Sequence, residues 1–204
     1  MILELAGLAV RRGGRTVIED IALTVEAGEI VGVVGRNGCG KSTLLGCVAG
    51  VLPPRDGRVM IEGASVWGTH RERTRARRAL GYVPEAADPP GFLTGNELWG
   101  LCAASRQTTA PSADLREALG LDELAELVLE RMSLGQRRRA CLGAAFVGMP
   151  RLLVLDEPDN GLDAKRLAAL VELVTAHAAG GGACILASHD AELLEQLGAR
   201  TLHL

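Results

Sequence analysis

Aromatic side chains are nearly missing from this chain: two Phe, one Tyr and two Trp in 204 residues. Single strands and RNA are held largely by stacking bases on exposed rings, so that mode of recognition has little material here. A basic excess is also lacking. Twenty-two Lys and Arg stand against 25 Asp and Glu, a net charge of −3, and no global positive field draws the chain to nucleic acid. No uninterrupted apolar run approaches the roughly 20 residues a helix needs to cross a bilayer. The start, Met1-Ile2-Leu3-Glu4-Leu5, has no basic segment ahead of an apolar one, so no secretory leader is expected. The five cysteines, at 39, 47, 102, 141 and 184, include no Cys-x-x-Cys pair. They read as reduced thiols of a cytosolic chain, mostly small core residues. Any action at a membrane then passes through a partner.

What the chain has instead is an aliphatic core and one complete phosphate-binding loop. Gly35-Arg36-Asn37-Gly38-Cys39-Gly40-Lys41-Ser42 fits G-x-x-x-x-G-K-S, with Thr43 following. It comes after the apolar strand candidate Ile30–Val34 and opens a helix at Lys41–Ala49 that Gly50 ends. A strand delivers the chain, glycines permit the tight turn, and the backbone N–H groups of the loop and first helical turn face the phosphates. In that arrangement Lys41 reaches the β- and γ-phosphates and the Ser42 hydroxyl ligates Mg²⁺. A nucleoside triphosphate is the expected ligand. A bulky reagent on Cys39, inside the loop, should block it, and ATP should protect.

The length suits one compact domain, 1–204. Strands are read at Ile2–Val10, Ile18–Val25, Arg58–Ile61 and Leu80–Val83, with a turn at Pro53–Gly57 and a polar helix around Thr69–Ala79. Residues 94–131 carry helical periodicity, capped at Thr94 or Asn96 and broken at Gln107–Ala113. Leu115, Leu119, Leu121, Leu124, Leu127 and Val128 form its apolar stripe. We read 86–134 as a helical subdomain inserted into an α/β core. A helix at Gly135–Phe146, a buried strand at Leu152–Leu155, a helix at Lys165–Ala179, a strand at Ala183–Ala187, a helix at Asp190–Gln196 and a strand at Ala199–Leu204 complete the chain. Short apolar strands alternating with helices imply a mostly parallel sheet covered on both faces.

The strand Leu152–Leu155 runs into Asp156-Glu157-Pro158, two carboxylates at the end where ligands of α/β sheets bind. Asp156 suits Mg²⁺ coordination beside Ser42, and Glu157 is set to polarise a water for in-line attack. The alternative is that both merely terminate a strand. Three further segments stand out: Met132-Ser133-Leu134-Gly135-Gln136-Arg137-Arg138-Arg139, Pro158-Asp159-Asn160-Gly161-Leu162-Asp163, and Ser188-His189-Asp190. With these in place the chain resembles, over essentially its whole length, the ATP-binding cassette (ABC) ATPases. Among them it is most similar to the compact, exporter-like nucleotide-binding subunits of bacterial transporters. The resemblance implies an α/β phosphate-loop core with an N-terminal antiparallel sheet, and ATP and Mg²⁺ as cofactors. It implies that Ser133, Gly135 and Gln136 of one cassette clamp the γ-phosphate held by another, in a homodimer or a cassette pair. Asn160, Gly161 and Asp163 then cross the dimer interface, and His189 contacts the γ-phosphate or the attacking water. A membrane-spanning permease is the implied partner, which places the chain in the cytoplasm at the inner face of the cell membrane. The groove receiving that permease falls between the Glu85 loop and the helical insertion, with Phe92, Leu93 and Trp99 as its apolar contacts.

The chain departs from the pattern at three places. Leu134 stands where glycine is usual and should loosen the clamp. Glu85 stands where glutamine is usual, beside the expected Mg²⁺. Arg12 falls where an aromatic residue usually stacks on adenine; its guanidinium either stacks on the base or faces solvent. Arg71, Arg73, Arg75, Arg77 and Arg78 read as a solvated helix face, or as a contact to anionic lipid beside a membrane partner. The competing functions are a soluble cassette acting on a non-membrane partner and a low-turnover nucleotide-dependent adaptor.

Overall fold

A computed structural model describes all 204 residues, and two sheets with the phosphate-loop helix between them organise it. Strands β1 (Leu3–Arg12), β2 (Arg15–Val25), β4 (Asp56–Ile61) and β5 (Ala64–Ser65) form an antiparallel sheet in the order β2-β1-β4-β5. Strands β3 (Ile30–Val34), β6 (Leu80–Val83), β7 (Leu152–Asp156), β8 (Ala183–Ala187) and β9 (Arg200–His203) form an all-parallel sheet in the order β6-β7-β8-β3-β9. The first helix, α1 (Lys41–Val48), is buried along nearly its whole length, because it meets both sheets. Side chains of a strand alternate between faces, so the parallel sheet feeds two cores. Val31, Val33, Leu152, Val154 and Ile185 join α1 and the antiparallel sheet, whereas Leu153, Leu155, Cys184 and Leu186 join the helical layer. The sequence reads as aliphatic runs here because both faces are covered.

The helical layer comprises α3 (Gly95–Arg106), α4 (Ala113–Leu119), α5 (Leu134–Phe146), α6 (Ala164–Ala179) and α7 (Ala191–Gln196). Helix α2 (His70–Arg78) stands apart on the surface beside β5 and β6. Capping explains several starts. Thr69, Thr94 and Ser133 each accept from the backbone three residues on, and Glu72, Glu97 and Gln136 return the bond.

Three expectations from the sequence change. Helical structure does not continue to 131: Gly120 takes a left-handed conformation that ends α4, and residues 122–124 and 129–131 are single 3₁₀ turns. Leu121, Leu124 and Leu129 are buried all the same, while Leu127 is exposed. Asp56 and Gly57 belong to β4 and not to the preceding turn. Trp99 is not a surface contact. It is 1% exposed, its Nε1 donates to the Ala140 carbonyl at 2.9 Å, and the Arg116 guanidinium lies 5.5 Å from its ring centroid. Trp99→Ala should therefore cost about 3–5 kcal/mol, the range for emptying a buried aromatic site. The drop in the urea midpoint measures it. Phe92 is 75% exposed and Leu93 half-buried, so both stay at the surface of this region.

Candidate functional site

The loop between β3 and α1 turns through Gly38 and Gly40, whose φ values of 79° and 115° suit glycine. A Cβ on Gly40 would also strike Val17 of β2 at 2.8 Å, so the antiparallel sheet packs directly over the loop. Lys41 opens α1, is 7% exposed, and donates from Nζ to the Gly35 carbonyl at 3.1 Å. A cavity of about 470 Å³ lies above it, lined by Arg12, Arg15, Val17, Asn37, Gly38, Gly40, Lys41, Ser42, Thr43, Glu85, Glu157 and His189. Loop, Glu85, Glu157 and His189 thus share one space, although Asn37 and His189 lie 152 residues apart in the chain. Cys39 and Gly35 do not line it. Their backbones belong to the loop, and the Cys39 thiol sits where a Cβ on Gly35 would come within 2.6 Å of it.

Asp156 ends β7 beneath this cavity, 2% exposed. Burial raises its pKa, the Ser42 hydroxyl and the Glu85 backbone amide oppose that rise, and the Glu85 carboxylate adds to it. Its Oδ1 has no hydrogen-bond partner. A buried carboxylate oxygen left open beside a serine hydroxyl and a second carboxylate is a donor set for a hard cation. Such a set fits Mg²⁺, which takes one or two protein oxygens and completes its shell with phosphate and water.

Glu157 is almost fully buried and holds φ 47°, a conformation unusual outside glycine and concentrated at functional sites. Its amide donates to the Ala187 carbonyl at 2.9 Å. His189 meets the side chain twice, its N–H donating to Oε2 at 3.2 Å and Nε2 lying 3.2 Å from Oε1. Burial raises the Glu157 pKa and the His189 contacts oppose the rise. The turn carrying His189 is fixed by Ser188, which donates to Asp159 at 2.9 Å and accepts from the Asp190 amide at 2.9 Å.

Ser133, Gly135 and Gln136 are elsewhere. They line a second depression with Arg139, Gly161, Leu162, Asp163 and Arg166, and no phosphate-loop residue borders it. Ser133 caps α5, and Asp163 caps α6 by accepting from Arg166 N–H at 2.8 Å. A Cβ on Gly135 would lie 2.3 Å from the Gly161 carbonyl oxygen. The two segments are therefore in direct backbone contact. Gly135→Ala should displace the 160–163 loop and cost about 1–3 kcal/mol through overpacking, seen as a lower melting temperature together with weaker ATP-driven pairing. Leu134 is 70% exposed and borders a separate hollow with Glu85, Ala86, Ala87, Asp88, Arg137 and Arg138.

Residue types alone do not reveal Arg138. It is 4% exposed and donates to the carbonyls of Pro84 (2.9 Å), Glu85 (2.6 Å) and Asp156 (3.4 Å), pinning α5 to the ends of β6 and β7. Arg15 and Val17 also go unread in the sequence; only the pairing of β1 with β2 brings them to the cavity.

Residues 18–160 match the family described as ABC transporter. This chain belongs to that family. A putative ABC transporter ATP-binding protein of Streptomyces avermitilis is 38% identical over 96% of the cassette, which spans 35% of that protein. The cassette thus covers about a third of that relative's length. The cytochrome c biogenesis ATP-binding export protein CcmA of Bordetella bronchiseptica is 39% identical over 92% of the cassette and 83% of that protein. A solved ATP-binding subunit of an ABC transporter superposes with a TM-score of 0.91 at 27% identity, over all of this chain and 86% of the other. The fold is that of an ABC ATPase. No helix is long and apolar enough to cross a membrane.

Proposed function

We propose that the cassette hydrolyses ATP with Mg²⁺ at a site completed by a second cassette, and that this cycle drives a separate membrane-spanning permease. One observation carries the pairing: the Ser133–Gly135–Gln136 depression and the phosphate-loop cavity share no residue. The α5 N-terminus, beyond the N–H that Ser133 caps, offers its remaining N–H groups and positive dipole end to an anion from outside its own chain. Lys41 and the loop amides hold the phosphates; Ser42, Asp156 and Glu85 would hold Mg²⁺, which would supply positive charge to the γ-phosphate. Glu157 takes the proton of the attacking water, and His189 orients Glu157 and the γ-phosphate. Asn160, Gly161 and Asp163 contact the second cassette. Residues 86–134, which lend no strand to either sheet, act as the helical subdomain that receives the permease near Phe92. The location is the cytoplasmic face of the membrane, through that permease.

Pairing makes turnover concentration-dependent: specific ATPase activity of the purified cassette should rise with protein concentration and fall on dilution. Activity per chain that stays constant over a thousandfold dilution would overturn the shared site. Co-purification with a multi-span membrane protein, set against ribosomes or DNA, tests the transport partner.

A further inference from the structure

Helix α2 carries more positive charge than its own stability explains. Its nine residues hold five arginines and one glutamate, a net +4 in a chain whose total is −3. The glutamate, Glu72, is taken up by the cap: its Oε2 accepts from the Thr69 N–H at 2.8 Å and from the Thr69 hydroxyl at 2.7 Å. None of the five arginines has an ion-pair partner, whereas Arg58, Arg139 and Arg151 on other elements each reach a carboxylate. Cations in the last turn suit the helix dipole, which accounts for Arg75, Arg77 and Arg78. Arg71 stands in the first turn, where the dipole opposes a cation, and one turn from Arg75, where like charges repel.

The helix gathers these groups on one side. His70, Arg71, Thr74, Arg75 and Arg78 enclose a shallow hollow of about 400 Å³ whose lining has no carboxylate and no apolar side chain. Arg75 is steadied there by donating to the Glu62 carbonyl at 2.9 Å. From Arg71 to Arg78 the row is about 10 Å long, which spreads the charge over more than one phosphate and suits a layer of headgroups. The face has no ring on which a base could stack, and no Leu, Phe or Trp to enter acyl chains. Helix α2 also packs beside α3, which starts three residues after Phe92. We propose that this face of α2 rests on anionic phospholipid headgroups beside the permease, a membrane contact made by the cassette itself. The choice of a bilayer rests on the membrane location proposed above, but the contact needs no permease. Charges are screened beyond about 8 Å at physiological salt, so the bilayer meets the +4 of α2 and not the total of the chain.

The test is co-sedimentation of the purified full chain with vesicles of phosphatidylcholine, alone or mixed in equal parts with phosphatidylglycerol. The cassette should bind the anionic vesicles and not the neutral ones. It should leave them in about 1 M sodium chloride, where the Debye length falls to about 3 Å. Arg71→Gln with Arg78→Gln should weaken vesicle binding about thirtyfold, each guanidinium at an anionic surface being worth roughly fivefold. ATP affinity should stay unchanged in that variant, which shows the fold to be intact. Arg11→Gln with Arg131→Gln removes the same charge from other elements and should leave vesicle binding within about twofold of the wild type, because screening confines the contact to α2. Equal binding to neutral and anionic vesicles, or to neither, would overturn the proposal. So would an equal loss in the two double variants, since net charge and not this face would then decide. Tighter binding to a DNA duplex than to anionic vesicles would overturn lipid as the occupant in favour of nucleic acid. If vesicles fail while a permease co-purifies, this contact alone falls; if vesicles bind and no permease co-purifies, the transport reading falls and the lipid contact stands.

Discussion

Lys41→Ala should abolish nucleotide hydrolysis and weaken ATP binding by roughly a hundredfold, with the fold retained. Lys41 is the one ammonium at the phosphate end of the cavity, and it is nearly buried, so its attraction to the β/γ-phosphates is poorly screened by water. Truncating a buried partner of a charged pair costs about 2–5 kcal/mol, and about 3 kcal/mol corresponds to roughly two decades in affinity. The structural cost is small. Lys41 is the first residue of α1, where alanine is a good helix former, and its one recorded side-chain bond is to the Gly35 carbonyl within the same loop. Calorimetry reads the affinity and circular dichroism the fold. Unchanged ATP binding in a folded variant would remove the loop from the site.

The parts legible in the sequence are those where a local rule decides the structure. The loop from β3 into α1 announces itself because glycine spacing, a preceding apolar strand and a following helix coincide within 20 residues, Ile30 to Ala49. Helix α2 could be placed closely because Thr69 and Glu72 cap it reciprocally and Ala79 closes it. Local rules fail where spacing is ambiguous. Leu121 and Leu124 are three apart, which suits an amphipathic α-helix and equally the 3₁₀ turn that Gly120 enforces. Trp99 looked available because its neighbours Leu98 and Leu101 are apolar too, and nothing in a local window says which of them α5 covers. Arg138 was invisible for a different reason. Its acceptors lie 54, 53 and 18 residues away, and they are backbone carbonyls, which leave no trace in residue type. Arg15 needed the hairpin register, which Gly13-Gly14 sets but which says nothing of the cavity beside it.

Glu157→Gln should leave ATP binding intact, slow hydrolysis by at least about a hundredfold, and let the ATP-bound pair of cassettes accumulate. General-base catalysis contributes roughly 10²–10⁴ to a rate, and an amide cannot take the proton of the attacking water. The volume is unchanged and the amide oxygen still accepts the His189 N–H, so the turn at Ser188–Asp190 should keep its shape. Stability should not fall. Burial raises the Glu157 pKa, the His189 contacts oppose the rise, and Asp159 and Asp156 add to it, so a neutral isostere of the same shape fits the buried position without a charge. The melting temperature of the free cassette should thus hold or rise. With products no longer formed, the interactions between one cassette's phosphates and its partner's Ser133, Gly135 and Gln136 persist. Size-exclusion chromatography with ATP and Mg²⁺ should then show a stable dimer where the wild type shows mostly monomer. A variant that remains monomeric and hydrolyses normally would remove Glu157 as the base and the second cassette as the clamp together. A variant that is inactive yet monomeric would separate them, keeping the base and rejecting the clamp, and would turn attention to Leu134, the exposed side chain beside Gly161 at the edge of that contact.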